Sequence, residues 1–302
     1  MSTSLLVPGS RGGDSMTRAA LKGRSLWDDA RRRLLRNRAA VASMIVLGLL
    51  VVAAVVGPSL TPYAYDKVNK ADVWMPPLTH GHLLGSDALG RDLLARLLTG
   101  LRVSLAIGLV ATLVSLVIGV AWGATAGYIG GKLDEAMMRF VDVLYSLPFI
   151  FFVILLMVTF GSNIVLIFVA IGAVEWLTMS RIVRGQTLTL KHKEFVEAAR
   201  AAGLGRGAII ARHIVPNLLG PVVVYVTLTI PAVILAESFL SFLGLGVQPP
   251  MASLGTLVAG GASDMELAPW LLVFPSLVIV VTLMCFNFIG DGLRDAIDPK
   301  DR

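Results

Sequence analysis

From residue 39 onward the chain alternates long apolar blocks with short polar stretches. The blocks are Ala39–Leu60, Val103–Gly127, Val143–Phe160, Ile164–Ser180, Leu218–Leu243 and Trp270–Ile289. A helix needs about 20 apolar residues to cross a hydrocarbon core of about 30 Å. Lipid offers no partner to an exposed backbone amide or carbonyl, so unbroken apolar runs of this length predict helices. They lack the two-residue alternation of an outer-membrane barrel. The pattern predicts an all-α integral membrane protein with about six transmembrane helices. The fourth block is the weakest, because Glu175 interrupts it.

Two polar stretches carry patterns of their own. Residues 1–38 form a Gly- and Ser-containing tail that ends in a basic run from Arg31 to Arg38. The basic preamble and the apolar block after it are both too long for a secretory signal peptide, which predicts an uncleaved first span. Farther on, Leu93, Leu94, Leu97 and Leu98 recur one turn apart beside Arg91 and Arg96. That spacing predicts a short amphipathic helix lying at the outer membrane interface.

Composition adds weight to the membrane assignment. Of the 302 residues, 56% are hydrophobic and 15% charged, against about 25% charged in a typical globular protein. The mean hydropathy is +0.78. The net charge of +6 resides in the segments between apolar blocks, so it gives orientation instead of a nucleic-acid patch. Nine Lys and Arg residues precede Ala39, seven lie between Arg181 and Asn217, and none lies between Gly244 and Pro269. The positive-inside bias puts the tail and the 181–217 loop in the cytoplasm and the acidic 244–269 loop outside. With six spans both termini are cytoplasmic. The segments are then a cytoplasmic basic tail (1–38), a first transmembrane helix (39–60), an extracytoplasmic segment (61–101) and a core of five transmembrane helices (102–302). In 61–101, Lys67, Lys70, Arg91 and Arg96 are balanced by Asp66, Asp72, Asp87 and Asp92.

The 181–217 loop is unlike an ordinary connector. Lys193 to Ala202 is rich in Ala and Glu, which favour helix, and Gly203 supplies a C-terminal stop. A second short helix fits Arg206 to Val215, ending before Pro216. Phe195, Ala198, Ala199 and Ala202 share one predicted face, and Ile210 and Ile214 another. The reading is a helix–turn–helix hairpin on the cytoplasmic side. On physical grounds it serves either as a plug for a groove on a soluble partner or as a surface resting on anionic lipid.

The triplet Glu197-Ala198-Ala199, then three residues, Gly203, nine residues and His213-Ile214-Val215-Pro216 resembles the EAA loop of ABC-importer permeases. His213 and Val215 depart from the usual Ile and Leu of that loop. The run from His82 to Asp92, Ser241 to Gly246 and Gly290 to Pro299 are similar to segments of the dipeptide/oligopeptide/nickel branch, C-type subunit. The resemblance covers residue 39 to the C-terminus. It implies a type I importer permease fold in a bacterial inner or plasma membrane. It further implies a homologous second permease, two ATP-binding subunits and an extracytoplasmic peptide-binding protein as partners, besides membrane lipid. Glu197, Ala198, Ala199, Gly203 and Pro216 are then the residues that couple to the ATPase. No cofactor is expected on this chain; ATP and Mg belong to the partner subunits. Di- or oligopeptides are the implied substrate, with nickel or glutathione as alternatives.

Glu175 and Glu237 lie inside apolar blocks, where an ionisable side chain is costly and should face the bundle interior or a watery cavity. Both are candidates for the translocation pathway, with a hydrogen-bonded structural carboxyl as the alternative. His80 and His82 stand two apart without a third ligand nearby, which predicts loop residues and no metal site. Cys285 is alone in an apolar block and reads as packing. Pro221, Pro231 and Pro275 fall within spans as hinges or bends. No catalytic residue is predicted. Gly131-Lys132 is followed by Leu133, and Ala126 stands where a phosphate-binding loop needs its first Gly. A self-sufficient transporter or channel would call for inverted repeats, which the chain does not show. An intramembrane enzyme would call for paired catalytic groups, which Asp142, Glu175 and Glu237 do not supply.

Overall fold

A computed structural model describes residues 26–161 and 164–297. Asp298 and Pro299 of the C-terminal motif, and residues 1–25 of the tail, lie outside the described residues. Every extended element among the described residues is helical. In chain order these are α1 (Leu26–Arg36), α2 (Arg38–Leu60), α3 (Leu93–Ile129), α4 (Gly131–Ser146), α5 (Phe149–Phe160), α6 (Ile164–Leu190), α7 (Glu194–Ala201), α8 (Arg206–Ile209), α9 (Val215–Phe242), α10 (Leu254–Ser263) and α11 (Trp270–Ile297). A π-helical turn, Ile210–Ile214, joins α8 to α9.

Five helices are long and apolar enough to cross a membrane, counting α8 to α9 as one piece from Arg206 to Phe242. The predicted third span, Val143–Phe160, differs. It is broken between α4 and α5, whose axes bend by 81°. Pro148 holds Leu147 in an extended conformation, and α5 alone, at 12 residues, reaches only about 18 Å. The pair nevertheless carries the chain across. Gly119 of α3 faces Met179 of α6, and Gly127 faces Thr187, so both helices run the same way. Parallel helices need a return crossing between them, and α4 with α5 provides it.

The α3–α6 contact depends on small residues. A Cβ on Gly127 would lie 2.8 Å from the Thr187 Cβ and 2.9 Å from the Arg184 carbonyl oxygen. Lipid tails are as apolar as leucine, so helices in a bilayer gain from close van der Waals approach more than from burial, and glycine permits it. A bidentate pair reinforces the contact. Arg184 Nε and Nη2 donate to Asp134 Oδ1 and Oδ2 at 2.5 and 2.7 Å, pinning the start of α4 to α6. In contrast α2 buries only Ala40, Ser43 and Ala54 and presents Ile45, Leu49, Val52 and Val55 outward. It is a peripheral span.

Several boundaries depart from the sequence reading. Leu93–Leu101 is not a separate surface helix. It forms the first turns of α3, with Leu93, Leu97 and Leu101 buried, so the line drawn between residues 101 and 102 falls inside one helix. The fourth span continues past Ser180 to Leu190. The tail contains α1, packed with Leu34 against Gly292 of α11, and Asn37 caps α2 by accepting from the Ala39 and Ala40 amides.

Pro216 does not end a helix. The helix beginning at Arg206 runs through the π turn into α9, where Pro216 occupies the second position. The wide turn, with Val215 N–H donating to Ile210 O, makes room where the Pro ring would strike a preceding carbonyl. Asn217 Nδ2 donates to the His213 carbonyl at 2.7 Å.

Candidate functional site

The hairpin caps the end of the bundle where α3 and α6 finish. Its helix α7 stops in a Schellman turn: Gly203, at φ +82°, donates to Arg200 O at 3.0 Å, and Leu204 donates to Ala199 O at 3.2 Å. The inward face is Val196 and Ala199, packed with Tyr128, Ile209 and Ile214. Ala199 thereby departs from the predicted partner-facing set. Phe195, Ala198 and Ala202 do not pack with Ala199; they are exposed, together with Glu197 and Gly203. Val196 lies one turn before Ala199, so these two form the buried stripe and Ala199 alone leaves the predicted face. Pro216 is exposed as well. Of the five residues predicted for coupling, four are thus available at the surface, and Ala199 holds the hairpin down.

Two cations fasten the hairpin from beneath. Lys191 Nζ donates to the Gly127 carbonyl at 3.1 Å, satisfying a free acceptor at the C-terminus of α3. The Arg200 guanidinium lies 6.0 Å from the Tyr128 ring. In chain order α6 enters the hairpin and α8–α9 leaves it.

At the opposite end, the His82–Asp92 motif builds a knot that starts α3. His82 Nδ1 lies 2.8 Å from Asp92 Oδ1, and Asp92 Oδ2 accepts the Ala95 amide at 2.8 Å as the N-cap. The other His82 nitrogen lies 3.4 Å from Asp72, whose second oxygen is 3.1 Å from His80 Nδ1. Tyr63 stacks on the His82 ring at 4.6 Å. Ser86 Oγ donates to the Asp72 carbonyl and accepts the Met75 amide. The hydrogen bond from His80 holds the Asp72 carboxyl below the ordinary Asp range, against an opposing cost of desolvation, with His82 adding to the lowering. Sequence reasoning missed Asp72, which is too far from the motif to be noticed. Among the described residues no group of three or more His, Cys, Asp or Glu is arranged to hold a metal ion.

The two intramembrane glutamates have separate environments. Glu237 of α9 is fully buried. Its Oε1 accepts from Ser241 at 2.7 Å and Ser253 at 2.6 Å, and its Oε2 from Ser104 at 3.3 Å. Ser104 in turn accepts the Leu254 amide at 3.0 Å. Glu237 therefore ties α3, α9 and the start of α10 together, the arrangement of a hydrogen-bonded structural carboxyl. Glu175 is different. It is partly exposed and lines an opening of about 490 Å³ with Tyr145, Leu147, Phe152 and Thr178, beside the α4–α5 break. Asp142, also near this break, pairs with Arg181 at 2.8 Å, and the Arg181 guanidinium lies 4.3 Å from the Tyr145 ring.

The chain has known relatives. Residues 115–302, more than half of the chain, match the family described as the inner membrane component of binding-protein-dependent transport systems. The chain belongs to that family. Residues 25–77 match a second model, the N-terminal transmembrane domain of oligopeptide transport permease C. The permease is 58% identical over 283 residues to the oligopeptide transport system permease protein OppC of Escherichia coli K12, covering 93% of this chain and 94% of that one. It is 54% identical over 290 residues to the protein of the same name in Haemophilus influenzae, covering 96% and 93%. It is 44% identical over 293 residues to the dipeptide transport system permease protein DppC of Bacillus subtilis, covering 97% and 90%. Among solved structures, a chain of the inward-facing MetNI methionine ABC transporter superposes with a TM-score of 0.54 at 19% identity, covering 67% of this permease and 96% of that chain. That likeness shows the fold, the all-helical importer-permease fold, and nothing finer.

Proposed function

We propose that this permease forms half of the pore of an ATP-driven importer of short peptides, beside a homologous second permease. The observation that carries the reading is the hairpin: Val196 and Ala199 anchor it inside, while Phe195, Glu197, Ala198 and Gly203 face outward. An exposed apolar ring beside a carboxylate on a rigid, short helix suits a groove on a soluble protein. Two ATP-binding subunits, carrying ATP and Mg, seat these hairpins and close on ATP binding. Closure moves α6 and α8–α9 as levers and alternates access to the pore, with Glu175 at the opening beside the α4–α5 break as the pathway residue. The permease itself hydrolyses nothing. The relatives named for oligopeptides and dipeptides support peptide as cargo, delivered by an extracytoplasmic binding protein.

In this reading both termini and the hairpin are cytoplasmic and the His82–Asp92 knot faces outside. The ends of α2 and α11 near Gly292 lie at the same end of the bundle as the hairpin, as the charge bias requires. The test is copurification from gently solubilised membranes. ATP-binding subunits accompany the wild-type chain and are lost from a folded Glu197→Arg variant. Wild-type chain recovered without any ATPase would overturn the reading in favour of a self-contained transporter.

A further inference from the structure

Beside the knot lies a cavity of about 310 Å³ between the start of α3, the end of α9 and α10. Its wall near α3 holds Asp87, Arg91 and Arg96, and Asp264 lies on the wall that follows α10. The charges near α3 do not balance. Asp87 Oδ1 already accepts the Leu89 and Arg91 amides at 2.9 and 3.0 Å, and its Oδ2 accepts Arg91 Nε at 2.8 Å. Arg96 Nε approaches the same Oδ2 only at 3.4 Å and makes no hydrogen bond. Two guanidinium groups share one carboxylate whose acceptor capacity is largely used. Arg96 is 7% exposed, and the one hydrogen bond its guanidinium makes among the described residues is a long one of 3.4 Å from Nη1 to the Tyr65 carbonyl. A buried cation with so few acceptors is costly, and an anion meeting the parts of Arg91 and Arg96 that line the cavity offsets part of that cost. On the other wall the Asp264 carboxylate has no hydrogen-bond or ion-pair partner among the described residues, and no ion pair joins it to either arginine.

We infer that this cavity is a binding site for a small zwitterion, its carboxylate on Arg91 and Arg96 and its ammonium toward Asp264. The volume suits one or two residues of a short peptide and not an extended one. A free peptide terminus presents this pair of charges, so the site would be a receiving subsite on the outer face. Its assignment to the cargo rests on the peptide-import reading; the charge geometry does not.

The test uses the full chain, purified with its partner subunits in lipid nanodiscs, and trialanine as probe beside its C-terminal amide and its N-acetyl form. Wild type binds the free acid about tenfold more tightly than the amide, the loss expected when a charge-assisted pair goes unmade. Arg91→Gln abolishes that preference while Arg91→Lys retains part of it. Arg91 is only partly buried, so these variants fold even where Arg96→Gln does not. Asp264→Asn abolishes the preference for the free amine over the acetylated peptide and leaves the acid–amide ratio intact. Equal binding of acid and amide by wild type, or an unchanged ratio in Arg91→Gln, would overturn the site. So would weakened docking of the empty binding protein to Arg91→Gln with trialanine binding unaltered, because the carboxylate would then come from that protein's surface. ATP-driven trialanine uptake by the wild-type complex is measured separately. Its absence counts against peptide import and leaves the binding result to decide the cavity.

Discussion

Ser253 donates its hydroxyl proton to Glu237 Oε1 across 2.6 Å while its own oxygen accepts the Thr256 amide at 3.1 Å. One side chain thus caps α10 and neutralises part of the desolvation of a carboxylate on α9. The arrangement joins a span to the short helix α10.

Removing the carboxylate should therefore cost more than its size. Glu237→Ala leaves Ser104, Ser241 and Ser253 with buried donors unmatched, an effect of about 1–3 kcal/mol for each group left wholly unsatisfied. Glu237→Gln keeps one carbonyl acceptor and should lose markedly less. Thermal unfolding in detergent, followed by thiol-reactive labelling of buried Cys285, reads the order wild type, Gln, Ala. Equal midpoints for Ala and wild type would show that the hydroxyls re-pair without the carboxylate.

Gly127 and Gly185 make a matched pair for the packing of α3 on α6. A Cβ at Gly127 collides with Thr187 and the Arg184 carbonyl, whereas one at Gly185 meets nothing within 4 Å. Gly127→Ala should destabilise by about 1–3 kcal/mol as the helices are forced apart. Gly185→Ala should be neutral or stabilising by up to about 1 kcal/mol through helix propensity. Parallel melting curves of the two variants check this, and a neutral Gly127→Ala would refute the close contact.

At Gly203 nothing lies within 4 Å of an added Cβ, but φ is +82°. Gly203→Ala should then cost about 1–2 kcal/mol through the backbone alone, and Gly203→Asn less, since Asn tolerates the left-handed region. The loss is local. Hydrogen exchange across residues 194–209 should rise in the Ala variant while α9 remains protected.

The Asp72 carboxyl, held below its ordinary range by His80, makes the knot sensitive to acid. A group whose folded pKa is depressed contributes stability that is present above its unfolded value, about 3.9, and is lost as pH falls through the lowered folded value. Protection factors of residues 69–92, each taken against the intrinsic exchange rate at its pH, should fall as the pH drops below about 4. Asp72→Asn should exchange faster throughout and show no such acid step.

Much of this was present in the linear pattern. Apolar blocks near the length of a bilayer predicted the spans, since lipid leaves helix as the only solution for an open chain. The spacing from Glu197 to Pro216 located the hairpin, and Gly203 ends α7 as its sequence position implies. The charge bias puts the tail and the hairpin on one side; in the fold the start of α2 meets the end of α11 at Gly292, and the start of α9 meets it at Gly220 and Ile297.

What the chain's order could not reveal is which side chains meet across it. Asp134 and Arg184 lie fifty positions apart, and Ser104 lies farther still from Glu237, so no local period relates them. The inward choice of Val196 over Phe195 depends on where Tyr128 happens to stand. Residue types and their spacing determined the helices, because backbone hydrogen bonding in lipid is a local demand. Only the tertiary structure decided that Glu237 is a buried tie between three helices and that Arg91 and Arg96 share one carboxylate. Burial and charge balance are properties of the surroundings, and those are supplied by distant segments.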